Sequence, residues 1–176
     1  MRILIDIRLL TKGGRTGIPG YTRELTNTLI HQYPNHEFTL FYNGFSRQPL
    51  PEQWHSAQNV NVIERGIPNR LLDIYFKFSG SRVVARDDIR PDVIFSPHFN
   101  LLPNTNTPRI ITFHDLSFIH YPQFFSLKQR LWHRWQAYGE QAKRAAHIIA
   151  VSEYTKSDLV NILKIPEEKV SVIYSG

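Results

Sequence analysis

The chain has 176 residues, 41% of them hydrophobic, and carries a formal net charge of +6 with no cysteine. This length fits a single domain that buries roughly 70% of its unfolded surface, and the composition excludes a coiled coil, a collagen-like fibre, disulfides and thiolate metal sites. Because no apolar run approaches the roughly 20 residues that span a bilayer, we expect a soluble cytoplasmic domain whose positive charge attracts phosphate groups.

Apolar runs that are typical of strands alternate with helical periodicity along most of the chain. Strands are predicted at 2–7, 37–42, 59–64, 93–95, 109–113, 148–151 and 170–174. Between them, apolar residues recur every three or four positions, which predicts helices at 18–33, 69–88, 126–146 and 152–164. Ser126 and Ser152 are predicted to cap the last two helices. This alternation predicts an α/β fold, a Rossmann-like, doubly wound and mainly parallel sheet with helices on both faces.

A glycine-rich loop follows the first predicted strand. Gly13, Gly14 and Gly17 lack the G-x-G-x-x-G spacing of dinucleotide-binding loops. Backbone N–H groups at a helix N-terminus can still bind a phosphate, and the flanking Arg8 and Arg15 would add positive charge. A mobile surface loop whose glycines only permit a turn is the alternative interpretation.

Polar residues also follow three later strands of the predicted sheet. Ligands bind beyond the carboxyl ends of the strands in an open parallel sheet, so these polar segments and the glycine loop are expected to meet at one rim. The four segments are Gly13–Gly17, Ser96–Asn100, His114–Asp115 and Ser152–Glu153.

The pair His114 and Asp115 admits three interpretations. A histidine at a strand end can transfer a proton or hold a substrate hydroxyl, because its pKa lies near neutrality. It can equally be a structural residue. A metal site formed with His98 and His120 would draw its ligands from separate loops, without the helical i,i+4 pairing of zinc motifs, and we expect no metal.

The predicted helix 126–146 is strongly basic, with five Lys and Arg residues against one Glu. Its apolar stripe includes Leu127, Leu131 and Ala142, and we expect this stripe to face the core while the basic side is solvated. A basic helix with Trp132 at its margin can instead lie on an anionic membrane, which makes peripheral contact with the inner face of the membrane a second interpretation. No nucleic-acid-binding module is recognisable, and no nucleic acid partner is expected.

The chain contains six ordered segments, Ile5–Leu10, Gly17–Leu25, Phe95–Asn100, Thr112–Phe118, Pro122–Ser126 and Val151–Leu159. In this order and spacing they resemble the N-terminal domain of family-four (group 1) glycosyltransferases of the GT-B fold. The mannosyltransferase branch of bacterial polysaccharide assembly looks most similar. The resemblance covers essentially the whole chain.

This resemblance implies a retaining enzyme with two Rossmann-like domains and an active site in the cleft between them. It implies that residues 1–176 form a single acceptor-side domain and that the C-terminal, donor-binding domain is absent. The missing domain would bind most of a GDP- or UDP-linked sugar, and the acceptor would be a saccharide or a lipid-linked molecule. No other cofactor is expected. By analogy, the loop of Gly13 and Gly14 approaches the donor, and His114 lies near the transferred sugar.

The strand ends and the resemblance together give the candidate site. His114 and Asp115 are the candidate catalytic residues. The candidate substrate-binding residues are Gly13, Gly14, Arg15, Gly17, Tyr21, His98, Asn100, Ser152 and Glu153. We expect little or no transfer by this chain alone, because the donor domain positions and stabilises the departing diphosphate. The alternatives are a non-catalytic nucleotide- or phosphate-binding module, such as a partner subunit, and a metal-dependent hydrolase.

Overall fold

The structure is a computed structural model that describes residues 1–13, 16–45, 48–79, 90–103 and 105–175. The chain folds into two compact units. The first unit comprises Met1–Pro97 and Leu102–Pro108, and the second comprises His98–Leu101 and Arg109–Gly176. The single domain predicted over the whole chain stays a prediction.

The described residues form seven strands and confirm the predicted Rossmann-like α/β fold. The strands are β1 (Arg2–Asp6), β2 (Glu37–Asn43), β3 (Val60–Arg65), β4 (Val93–Ser96), β5 (Arg109–Phe113), β6 (His147–Ala150) and β7 (Val170–Val172). Their order in the sheet is β3-β2-β1-β4-β5-β6-β7. Each strand pair whose register is described runs parallel. All seven predicted strands are present, with ends that differ by at most two residues.

Helices lie between most consecutive strands in the described part of the chain. They are α1 (Gly17–Gln32), α2 (Glu52–Ser56), α3 (Asn69–Ser79), α4 (Ser117–His120), α5 (Leu127–Trp135), α6 (Tyr138–Arg144) and α7 (Glu153–Asn161). The short helices α2 and α4 had not been predicted. The predicted helix 69–88 is confirmed as far as Ser79, and residues 80–89 lie outside the described residues. None of the helices described is long and apolar enough to cross a membrane.

The core of the first unit is formed around β2. Six consecutive residues of this strand, Phe38 to Asn43, are buried. Since successive side chains of a strand point to opposite faces, the strand must be covered on both faces. Trp54 of α2 and Leu72 of α3 are among the fully buried side chains of this unit.

A buried ion pair closes the carboxyl end of β1. The guanidinium of Arg8 donates to the Asp6 carboxylate at 2.7 Å and lies 3.5 Å from the carboxylate of Asp73. It also lies over the rings of Phe41 and Phe76, at 5.6 and 5.4 Å from their centroids. Burial opposes the charged form of Arg8, but the two carboxylates outweigh it and raise the pKa of the guanidinium.

This pair corrects the expectation that Arg8 adds positive charge to the glycine loop. Arg8 is only 2% exposed, and its charge is compensated by Asp6 and Asp73. The sequence pattern could not show this, because Asp73 is distant in the chain and reaches Arg8 only in the folded protein.

The core of the second unit lies between β5, β6, β7 and their helices. Its fully buried members include Ile111, Phe113, Ile148 and Leu159. Ser152 caps α7 as predicted, and Ser126 caps α5 in a capping box with Gln129.

The predicted single helix 126–146 is wrong, since the chain forms two helices there. It turns between α5 and α6 at Gln136 and Ala137, and Ala137 adopts a left-handed conformation with φ of 49°. This conformation is costly for a residue with a Cβ. The tertiary contacts of Gln136, described below, provide the physical reason for the turn.

The core-facing stripe predicted on this segment is wrong in its first half. Leu127 and Leu131 are 73% and 68% exposed, whereas Ala142 and Ala145 are buried. Every residue of α5 is described, and none of them is buried. The break at Ala137 allows α6 to pack against the core while α5 remains on the surface.

We predict that Asp6→Ala destabilises the chain by about 3–5 kcal/mol, because it leaves the Arg8 guanidinium buried beside fewer compensating charges. The free energy of unfolding in urea measures this loss.

The matched control is Asp92→Ala, which removes the exposed ion pair between Asp92 and Arg2, whose side chains are 41% and 50% exposed. Exposed pairs contribute little. Equal losses in the free energy of unfolding of the two variants would show that the buried ion pair of Arg8 stabilises the chain no more than an exposed pair does.

Candidate active site

The candidate residues are distributed over both units. Gly13 follows β1 and the 3-10 turn Arg8–Lys12 in the first unit, together with Gly17 and Tyr21 of α1. His98, Asn100, His114, Asp115, Ser152 and Glu153 belong to the second unit. Gly14 and Arg15 lie outside the described residues. The rim predicted to be shared by all four segments therefore stays a prediction.

The two described glycines of this loop adopt left-handed backbone conformations. Gly13 and Gly17 have φ of 71° and 63°, a region that favours glycine. The N–H of Gly13 donates to the carbonyl of Leu10 at 3.1 Å. Tyr21 lies in the second turn of α1 and is half-buried. Contact of these residues with a phosphate or sugar stays a prediction.

The segment that contains His98 and Asn100 is a tightly bonded loop. His98 is 2% exposed, and its Nδ1 accepts from the backbone N–H of Asn100 at 3.2 Å. This bond closes a local turn after β4. Substrate binding by either residue stays a prediction. In this structure the His98 ring stabilises the turn through its hydrogen bond with the Asn100 N–H.

Three side chains from elsewhere in the second unit hold this loop. Gln136 accepts from the N–H of Leu101 at 2.6 Å, and Gln141 donates to the carbonyl of Phe99 at 2.6 Å. Arg109 donates to the Asn100 carbonyl at 3.0 Å and also to the side-chain oxygen of Gln141. Together they satisfy the carbonyls of Phe99 and Asn100 and the N–H of Leu101.

These positioning residues were not predicted from the sequence. A glutamine in a helix is ordinarily a solvated residue, and Gln136 and Gln141 are both buried here. Gln141 lies one helical turn before the buried Ala145, which is the one sequence signal for it, and no pattern in the sequence indicates Gln136.

His114 is placed directly after β5 and is half-buried. Its carbonyl accepts from the Thr155 hydroxyl at 3.2 Å. The Ser152 hydroxyl lies 3.0 Å from that of Thr155 and caps α7 by accepting from the Thr155 N–H at 3.1 Å. The structure therefore brings Ser152 next to the backbone of His114, while Glu153 begins α7 with an exposed side chain.

Asp115 organises the turn that follows His114. Its carboxylate accepts from the backbone N–H of Ser117 at 2.9 Å, which fixes the entry into α4. The nearby His120 lies 2.8 Å from the Asp158 carboxylate. Among the described residues, no group of three or more His, Asp or Glu side chains could hold a metal ion.

An aromatic cluster joins the His98 loop to the His114 loop. The ring centroid of Phe99 lies 5.5 Å from that of Phe113 and 5.8 Å from that of Phe118. Phe118 in turn contacts His133 of α5 edge to face at 4.0 Å. Partial burial among these rings lowers the pKa of His133, against the opposing effect of the Asp115 carboxylate.

Residues 16–176 match the model of Glycosyltransferase Family 4. The chain therefore belongs to this family, as the resemblance in the sequence indicated.

The chain is similar to a glycosyltransferase from Rickettsia africae ESF-5 of known crystal structure, with 16% identity and a TM-score of 0.48. The match covers 98% of this chain and 42% of that one, so this chain spans less than half the length of that protein. None of the curated proteins matches the sequence.

We predict that His133 makes the stability of the chain sensitive to mild acid. Because its folded pKa lies below the ordinary value of about 6.5, the unfolded state binds the proton more tightly. The free energy of unfolding is therefore highest above the ordinary pKa and falls as the pH drops through it. His133→Phe should reduce this dependence between pH 7 and 5, as measured by urea unfolding.

The exposed His31 provides the control, and His31→Phe should leave the pH dependence unchanged. If the free energy of unfolding depended on pH in both variants as it does in the original chain, the neutral form of His133 would not contribute to stability.

Proposed function

We propose that this chain is the acceptor-side part of a retaining glycosyltransferase. In this proposal a hexose, mannose in the first instance, moves from a GDP- or UDP-linked donor to a saccharide or lipid-linked acceptor of cell-envelope polysaccharide. The observation that carries the proposal is the match of residues 16–176 to Glycosyltransferase Family 4. The position of His114 at the carboxyl end of a parallel strand supports it.

His114 is proposed to bind the transferred sugar. The hydrogen bond between its carbonyl and Thr155 fixes the backbone, so the imidazole is held at the end of β5. A ring nitrogen there can hydrogen-bond a sugar hydroxyl while positive charge develops at the anomeric carbon. Asp115 is proposed to orient this loop through Ser117 rather than to exchange a proton.

The reaction itself breaks the bond between the anomeric carbon and the donor diphosphate. The acceptor hydroxyl attacks the same face of the sugar, its oxygen forms the new glycosidic bond, and its proton passes to the departing diphosphate. No side chain of this chain is proposed as a covalent nucleophile. The diphosphate is proposed to be held mainly by a donor-binding domain, so this chain alone is expected to transfer little or no sugar.

We predict that His114→Ala lowers sugar transfer about 30- to 1000-fold when this chain is joined to a family donor domain. The loss of one such hydrogen bond costs about 2–4 kcal/mol of transition-state stabilisation. Transfer of a radiolabelled hexose from the nucleotide-sugar measures the rate, and the melting temperature reports whether the fold is intact.

His55→Ala is the matched control, because His55 is an exposed histidine of α2 in the first unit. Near-normal transfer by His114→Ala with an unchanged melting temperature would identify His114 as a structural residue. Nucleotide binding without any transfer would favour the phosphate-binding module instead.

The chain is also proposed to contact the anionic surface of a membrane through α5, within the basic segment 126–146. Leu127 and Leu131 are exposed beside Trp132, and the same helix carries Lys128 and Arg130. Exposed apolar and cationic side chains on one helix suit the interface between lipid headgroups and acyl chains.

We predict that Arg130→Gln weakens binding to phosphatidylglycerol vesicles about fivefold, because each cation near the surface contributes about 1 kcal/mol. Co-sedimentation measures the bound fraction. Arg90→Gln removes an exposed cation of the first unit and should have little effect. Equal binding to phosphatidylcholine vesicles would contradict the electrostatic part of this proposal.

A further inference from the structure

Helix α7 holds the loop 114–120 at two points that lie one helical turn apart. The Thr155 hydroxyl donates to the carbonyl of His114 at 3.2 Å, where the loop leaves β5. One turn further along α7, the Asp158 carboxylate lies 2.8 Å from Nε2 of His120, the last residue of α4. Thr155 and Asp158 are both buried, so the two contacts are made from the same, packed side of the helix.

The carboxylate of Asp158 depends on His120 for its hydrogen bond. The Asp158 side chain is only 9% exposed, and its Oδ2 atom has no hydrogen-bond partner among the described residues. Its Oδ1 atom accepts from the His120 imidazole, since an ionised carboxylate can only accept. Because a buried carboxylate is costly without a donor, this bond ties the end of α4 to α7.

The helix α4 needs such a tie, because its four residues are too few to form a stable helix in water. Its start is fixed by the Asp115 carboxylate, which accepts from the N–H of Ser117 at 2.9 Å. Its end is fixed by His120, whose ring also lies 5.9 Å from the ring of Tyr154 on α7. The loop is therefore closed on α7 at both ends, and His114 lies at one of them.

From these contacts we propose that His120 and Asp158 are positioning residues for the imidazole of His114. The inference rests on the proposed function, in which His114 binds the transferred sugar, and it adds the pair that holds this imidazole in place. Neither residue of the pair touches the sugar. Asp158 holds His120, His120 holds the end of α4, and the closed loop then presents His114 at the end of β5.

NMR spectroscopy of the chain of 176 residues tests this proposal without any transfer reaction. The ring resonances of His114 report on the imidazole, and exchange of the Tyr121 amide, which donates to the Ser117 carbonyl, reports on α4. In His120→Ala we expect the His114 ring resonances to shift and the Tyr121 amide to exchange about tenfold faster, because α4 opens more easily. His120→Gln should restore both, since its amide nitrogen can donate to Asp158.

His147→Ala is the matched control, because it also removes a histidine hydrogen bond of the second unit, the one between Nε2 of His147 and the Ser171 hydroxyl at 2.9 Å. His147 is the first residue of β6, whereas His114 follows the carboxyl end of the parallel strand β5. This variant should leave the His114 ring resonances unchanged. Unchanged His114 resonances in His120→Ala, whatever the exchange at Tyr121, would overturn the proposal.

A double variant removes the pair without leaving a buried carboxylate. His120→Ala combined with Asp158→Leu replaces the carboxylate with an apolar side chain of similar size, a change that folded proteins often tolerate at buried ion pairs. We expect the His114 ring resonances to shift in this variant as they do in His120→Ala. Resonances identical to those of the original chain would overturn the proposal even if the single variant did not fold.

Transfer kinetics distinguish failure of this inference from failure of the proposed function. In the protein joined to a donor domain, His120→Ala should lower kcat about 10- to 100-fold and leave KM for the nucleotide-sugar unchanged, because a misplaced imidazole acts on the transition state. His114→Ala combined with His120→Ala should be no slower than His114→Ala alone, since His120 acts through His114. Additive losses would overturn the positioning role. Normal transfer by His114→Ala would contradict the proposed function alone, because the NMR measurement tests the position of the ring whether or not it binds sugar.

Discussion

The backbone of the loop 98–101 has polar groups that must find partners, and this requirement shapes the second unit. Gln136, Gln141 and Arg109 provide the partners. Unpaired buried backbone groups would each cost about 1–3 kcal/mol, so these bonds outweigh the small price of a left-handed residue. Because Gln136 is held at Leu101, the helical segment turns at Ala137 and α5 departs from the core.

The exposed apolar surface of the second unit follows from that departure of α5. Since α5 leaves the core, Leu127 and Leu131 remain exposed and a cavity opens between α5 and its neighbours. The aromatic cluster around Phe99 then forms a common wall for the cavity and for the loop after β5. His114 owes its own position to a separate contact, the bond from Thr155 at the capped start of α7. The exposed apolar surface of α5 and the backbone position of His114 thus depend on different elements of one unit.

The sequence was informative where local physics decides the structure. β1 is a nearly continuous apolar run and most of β2 is buried, as expected for parallel strands covered on both faces. Ser126 and Ser152 cap their helices by local hydrogen bonds. Family membership was also evident from ordered motifs. The order of the strands along the sheet could not be predicted from the sequence and is known only from the structure.

The errors share a different physical origin. Helical periodicity continues unbroken through Ala137, and the turn there arises from bonds to a loop 35 residues away in sequence from Gln136. The burial of Arg8 likewise depends on Asp73, which no local pattern connects to it. Short elements such as α4 escape prediction because four residues are too few to show a period.

Because α5 lies on the surface, it is expected to unfold locally at a low cost in free energy. Nine residues are too few to form a stable helix in water without tertiary support, and none of these nine side chains is buried. The capping box at Ser126 stabilises its first turn, and the contact between the rings of His133 and Phe118 holds its last turn. Its amide protons should therefore exchange with solvent through local fluctuations, independently of the β5–β6 core. Any ligand that orders α5 must offset this local conformational entropy, so its measured affinity includes the cost of folding the helix.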